Sequence, residues 1–186
     1  MSGLINCQST CNKFDEISDV VKHMDLDVVF ITDTWLTGNV SDQRIVGDVN
    51  PARYPFDHVA RIHKKSGGVG ILLRDSLKCE THLRFQAKSF LNYQLTFESR
   101  GVSVSVAIIY WLQPTKNGLK VARYSRELLT LRSTNLKQQV QNGTQGLSHI
   151  LDLFMFREYD NLIKDVSVSS MVFDLKLFHI KGGFSR

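Results

Sequence analysis

The chain has 186 residues, 42% of them apolar and 22% charged, with a net charge of +5. That is the make-up of an ordinary globular protein, long enough to bury a real core and to be read as one domain over residues 1–186. No stretch is long and apolar enough to cross a bilayer, and the start, MSGLINCQST, lacks the basic and apolar regions of a signal peptide, so neither secretion nor a membrane span is expected.

The three cysteines, Cys7, Cys11 and Cys79, are an odd count without an export signal, so free thiols in an intracellular compartment, nuclear or cytoplasmic, are expected. No second Cys/His pair follows Cys7 and Cys11 at zinc spacing. The glycosylation-type strings at Asn39 and Asn142 are read as chance matches without secretion. Charge is uneven: residues 1–50 hold three basic residues against eight acidic ones, a net −5, which leaves +10 for the remainder. A basic majority suits a polyanion such as DNA, and equally a solvated surface.

In chain order, residues 13–24 place Phe14, Ile17, Val20, Val21 and Met24 at helical spacing, with Asn12 as a candidate N-cap and Asp15 and Glu16 in the first turn. Leu26 to Ile31 reads as a short buried strand, and a helix feeding such a strand is the grammar of an α/β protein. Residues 37–66 read as a long loop, and the glycines of GGVGILLRDSLK lead into a strand over Val69–Leu73. Gly68-Val69-Gly70 lacks the rest of a dinucleotide fingerprint. Residues 90–98 and 102–110, parted by Gly101, read as an antiparallel hairpin. A short helix is expected over 121–132, an irregular stretch over 133–148, and strands over Leu151–Met155 and Val166–Val172. There is no internal repeat or low-complexity segment.

Six strings occur in an order that resembles one family: INCQSTCNKFDEI, DVVFITDTWLTG, GGVGILLRDSLK, AIIYWLQPTKNGL, STNLKQQVQNGT and HILDLFMFREYDNLIKDVSVSS. They are similar to the endonuclease/exonuclease/phosphatase superfamily, specifically the apurinic-type endonuclease domain of non-long-terminal-repeat retrotransposons. The resemblance implies a four-layer α/β/β/α sandwich and hydrolysis of a DNA phosphodiester with magnesium. A hard cation prefers carboxylate and amide oxygens and offsets charge building on the phosphate.

Residue by residue, the resemblance places Asn6 at the end of the first strand as a contributor to the metal and phosphate site; on its own chemistry it reads first as an Asn capping the turn before the helix. Asp33 stands where the family has a glutamate in Thr-Glu-Thr-Trp-Leu. It keeps the charge but shortens the side chain by roughly 1.5 Å, which weakens the metal binding the resemblance implies. Read without the family, it is the first polar residue of a loop. Tyr110 matches a phosphate-site tyrosine, or is an aromatic closing a core strand, and Trp111 follows it where the family has arginine, a planar donor suited to phosphate. Asp152 matches an aspartate that orients the catalytic histidine. Asp174 matches the aspartate of Ser-Asp-His, but Leu175 takes the histidine position and His179 lies four residues beyond it.

The Gly-Asp-Phe-Asn segment has a decoy in Gly47-Asp48-Val49-Asn50, which precedes the strand it should follow. An internal segment is therefore expected to be missing near 124–133, leaving an incomplete sandwich. The sequence points to the remnant of a retrotransposon-derived, magnesium-dependent DNA endonuclease with little or no activity. The alternatives are an active magnesium-dependent nuclease and a non-catalytic nucleic-acid-binding module using Arg53, Arg61, His63, Lys64 and Lys65. A chain that never folds stably, its strand edges exposed, is a further reading. No protein partner follows from the sequence.

Overall fold

The computed structural model describes residues 2–11, 13–39, 42, 47, 53–61, 66–86, 90–99, 102–111, 136–138, 152–157, 163–168 and 176–182. The chain starts with strand β1 (Ser2–Asn6), helix α1 (Phe14–His23) and strand β2 (Val28–Thr32). β1 and β2 pair in parallel, Ser2 with Val28 through Asn6 with Thr32, so their carboxyl ends lie side by side. Parallel strands need a crossover, and α1 supplies it.

α1 buries Ile17, Val20 and Val21 on one face, each contributing about 1.5–3 kcal/mol relative to exposure. Asp15 and Glu16 sit in its first turn and Lys22 and His23 in its last, each charge suited to its end of the dipole. The capping position is Lys13 and carries no side-chain bond; the expected cap, Asn12, lies outside the described residues. The helix ends where the Met24 amide still reaches the Val20 carbonyl and Asp25 turns to φ +49°.

The first sheet is completed by β3 (Phe56–Val59), β4 (Val69–Leu73), β10 (Ile163–Val168) and β11 (Lys176–Gly182), in the order β10-β11-β1-β2-β4-β3. The second runs β5-β6-β7-β9-β8, with β5 (Cys79–Gln86), β6 (Phe90–Ser99), β7 (Val102–Trp111), β8 (Leu136–Gln138) and β9 (Asp152–Arg157). The expected hairpin is β6–β7, in register from Phe90 opposite Trp111 to Ser99 opposite Val102.

Three sequence expectations change, and β5 is a strand that the sequence reading left out. β3 lies inside the stretch read as loop, because Asp57 and His58 interrupt it and its residues are only half-buried at a sheet edge. β5 carries Glu80 and Arg84 on an edge strand, where charge blunts pairing with other chains and also hides the strand pattern. β8 falls within the stretch read as irregular, and β10 begins three residues before the expected Val166. The expected helix over 121–132 and the missing segment near 124–133 lie outside the described residues.

Two cores follow from the layers. Leu4, Val28, Phe30, Val69 and Ile71 of the first sheet meet Leu91, Tyr93, Leu95, Phe97, Val106, Ile108 and Tyr110 of the second. On the other face of the first sheet, Ile5, Val29, Ile31 and Leu72 pack against Ile17, Val20 and Val21 of α1. Helix, sheet, sheet is thus the layering of the described residues, and α1 is their one long helix. None of their helices is long and apolar enough to cross a membrane.

Candidate active site

Asp33 is the first residue beyond β2, beside the end of β1 that carries Asn6. It is not a surface loop residue: Asp33 is 6% exposed and Asn6 5%. Both sit where the parallel pair ends, the edge of an α/β sheet at which ligands commonly bind.

Three loops are stitched together here. After β1, the Cys7, Ser9 and Thr10 amides donate to the Thr32, Asp33 and Thr34 carbonyls at 3.1, 2.9 and 3.0 Å. Before β4, the Asp33 amide donates to the Gly68 carbonyl at 2.9 Å and the Trp35 amide to the Gly67 carbonyl at 2.7 Å. The Thr10 hydroxyl adds a bond to the Thr34 carbonyl at 3.0 Å.

These bonds hold an unusual backbone. Asp33 and Trp35 adopt φ +62° and +60°, the left-handed region that costs non-glycine residues on the order of 1–3 kcal/mol. Gly68 faces them at φ +101°, and a Cβ there would lie 2.3 Å from Thr34 Oγ1. Only glycine lets the two loops approach this closely.

Two donors fix the carboxylate. The Tyr110 hydroxyl donates to Asp33 Oδ1 at 2.9 Å, a buried bond from the second sheet to the first. The Trp35 indole Nε1 donates to the same oxygen at 3.0 Å. Among the described residues no donor is bonded to Oδ2. Tyr110 is therefore both the last aromatic of the core, 6% exposed, and a partner of the acid.

Beyond these, Tyr110 is the register partner of Asp152 in the β7–β9 pair. Lys176 is the partner of Asn6 in the β1–β11 pair, and His179 stands opposite Gly3 within β11. Asp174 and Leu175, like Asp48 to Asn50 of the decoy string, lie outside the described residues. So do His63, Lys64 and Lys65 of the basic surface. Arg53 is drawn off to Asp75 at 3.6 Å, whereas Arg61 and Tyr110 both lie against Gly67.

Magnesium takes oxygen ligands and accepts one or two carboxylates with water completing its octahedron. Oδ2 of Asp33 and the amide of Asn6 are the oxygen chemistry that fits it. No group of three or more His, Cys, Asp or Glu side chains could share an ion among the described residues. Cys7 is not a competing nucleophile: burial pushes its thiol up to about 12, and it donates to the Thr32 carbonyl at 3.4 Å.

Sequence reasoning left out two features of this site. Trp35 was legible only as the neighbour of Asp33, because its φ and its bond back to the acid are properties of the folded loop. Asp42, 5% exposed, receives the Thr37 and Gly38 amides at 2.6 and 2.5 Å and so closes the turn after Leu36. Its signal was an acid a few residues beyond a Thr-Gly turn.

No protein-family model and no curated protein sequence matches the chain. Solved structures do. The endonuclease domain of TRAS1, a telomere-specific non-LTR retrotransposon, aligns over 97% of this chain and 98% of its own, with a TM-score of 0.60 at 9% identity. The AP endonuclease LMAP from Leishmania major aligns over 96% and 86%, with a TM-score of 0.62 at 11% identity. The 3' phosphatase NExo from Neisseria, bound to a product DNA hairpin, aligns over 97% and 98%, with a TM-score of 0.60 at 10% identity. The two packed sheets, with Asn6 and Asp33 at the ends of the parallel pair, are thus an α/β fold of the endonuclease/exonuclease/phosphatase type.

Proposed function

We propose that the chain descends from a metal-dependent DNA endonuclease of a retrotransposon, and that it has little or no hydrolytic turnover left. The observation that carries this reading is the direct pairing of β7 with β9, Tyr110 opposite Asp152. The resemblance implies a Gly-Asp-Phe-Asn strand between those two strings, and the direct β7–β9 pairing supports the reading that it is lost. Deleting that strand removes an Asp and an Asn that orient nucleophile and phosphate. Members of a cooperating catalytic set are not replaced by the survivors, so the loss costs orders of magnitude.

Asn6, Asp33, Tyr110, Asp152 and Asp174 are the ancestral positions in this reading. Asp33 and Asn6 would hold the magnesium ion, which when bound offsets negative charge on a phosphate oxygen. Tyr110 keeps Asp33 oriented, and Thr10, Gly67 and Gly68 fix the loops around it. With Leu175 in the histidine position, the chain's own residues offer no imidazole there to move a proton.

Supercoiled plasmid incubated with purified protein and magnesium tests the reading. The expected result is no nicking above that of an Asp33→Ala variant. Nicking that the Asp33→Ala substitution abolishes would establish the other reading, an active nuclease, which the intact Asp33–Tyr110 bond favours.

A further inference from the structure

Gly67, itself buried, is the point that Trp35, Arg61 and Tyr110 share. The Trp35 amide donates to its carbonyl at 2.7 Å. A Cβ placed on Gly67 would lie 2.9 Å from Arg61 Cδ, 3.2 Å from Tyr110 Cε1 and 3.5 Å from Arg61 Nη1. The Trp35 backbone and the Arg61 and Tyr110 side chains therefore meet at one glycine, in the loop bonded to that of Asp33.

Trp35 is the exposed large apolar side chain of the described residues, at 42%. Such a residue alone is unremarkable on a protein surface. Here its backbone is held at φ +60° and its indole nitrogen is tied to Asp33, so the ring is fixed where a mobile surface tryptophan would not be. Arg61 has one hydrogen bond, Nη1 to the Ser66 carbonyl at 3.3 Å, and no ion pair among the described residues. A guanidinium carries five donors in a flat fork, a shape that suits phosphate oxygens.

We propose that Trp35 and Arg61 form a binding site for one nucleotide of an unpaired DNA strand, the indole stacking on the base and the guanidinium holding the adjoining phosphate. Neither residue needs turnover for this, so the site serves a chain whose hydrolysis is lost. The proposal rests on the nucleic-acid reading of the fold. A fixed aromatic face accepts any base, and one cation beside it offsets the repulsion between Asp33 and the incoming phosphate.

The test is fluorescence anisotropy of the full chain with a fluorescein-labelled oligothymidylate and with an abasic oligomer of equal length, in EDTA. Trp35→Ala weakens oligothymidylate binding on the order of ten-fold and leaves the abasic oligomer unchanged. Trp35→Phe, which keeps a ring but loses the bond that fixes it to Asp33, weakens oligothymidylate binding by less than Trp35→Ala does. Arg61→Ala weakens both oligomers and flattens the salt dependence by about 0.7 in the logarithmic slope. Equal losses on both oligomers for Trp35→Ala, or an unaffected Arg61→Ala, overturn the proposal while leaving the fold's nucleic-acid reading intact. Failure of the wild type to bind either oligomer at low salt overturns both.

Discussion

The Tyr110 hydroxyl donates to Asp33 Oδ1 at 2.9 Å across 77 positions of sequence, and it joins the two sheets at the site. Both groups are almost fully buried, so the bond replaces the water that Asp33 would otherwise need. Through it the core of the two sheets reaches the candidate site directly.

Tyr110→Phe keeps the ring in the core and removes this donor. The Trp35 nitrogen still reaches the same oxygen, so the loss falls at about 1.5 kcal/mol, the lower end for a hydrogen bond to a charged group. A lower midpoint of urea unfolding at unchanged slope is the expected reading. An unchanged midpoint would show that Trp35 alone satisfies the carboxylate.

Asp33→Glu restores the carbon that the resemblance implies was lost. At φ +62° aspartate is tolerated better than glutamate, so the variant is less stable by about 1 kcal/mol. Its longer arm would restore the reach that the resemblance implies for a metal ligand. Magnesium is therefore expected to raise the melting temperature of the Glu variant more than that of the wild type. Equal shifts in the two proteins would mean that side-chain length is not what limits the metal.

Gly68→Ala puts a methyl group 2.3 Å from Thr34 Oγ1 on a backbone at φ +101°. Steric overlap and backbone strain together cost about 3 kcal/mol or more. Gly47 has nothing within 4 Å of its Cβ position, so Gly47→Ala stays within about 0.5 kcal/mol of the wild type. Thermal melting of the two variants side by side checks this, and equal midpoints would mean that the Gly68 loop yields without cost.

The periodic elements were legible in the sequence because burial leaves a pattern. α1, β2, β4 and the β6–β7 hairpin each show an apolar face or an apolar run. β3 and β5 were not, since both are edge strands with charged residues, Asp57, Glu80 and Arg84 among them. Asp57 is held by Tyr93 Oη at 2.5 Å and by Arg84, contacts made by residues 36 and 27 positions away. Of the site, Asn6, Asp33 and Tyr110 came from family strings, and no local pattern pairs positions 33 and 110. Their convergence depends on β1–β2 pairing and on the packing of one sheet against the other, neither of which a local string encodes.

His58 gives the chain a pH dependence. Burial lowers its pKa from the usual 6.5, Arg84 lowers it further, and Asp42 and Asp57 oppose the shift. The unfolded chain therefore binds the proton more readily than the folded one. Stability rises with pH through this window: the contribution is present above 6.5 and is lost as pH falls from there through the lower folded value. Urea unfolding between neutral and mildly acidic pH should show a shallower acid loss in His58→Gln than in the wild type. Parallel curves would assign the acid sensitivity to the carboxylates instead.

The cysteines report whether the site loops open separately from the whole fold. Cys11 and Cys79 are exposed, and Cys7 is fully buried with its thiol pushed up to about 12. A thiol reagent should titrate Cys11 first, Cys79 more slowly because burial pushes its thiol up, and Cys7 only through opening. Cys7 donates to the Thr32 and Asp33 carbonyls, the same segment that Gly68 holds from the other side. If that segment opens alone, Gly68→Ala speeds Cys7 labelling about ten-fold for each 1.4 kcal/mol it takes from the local opening cost. Meanwhile amide exchange in β6 and β7 follows only the global stability. If Cys7 labelling and β6–β7 exchange accelerate by the same factor, the loops and the sheets open as one unit, and the candidate site has no independent motion.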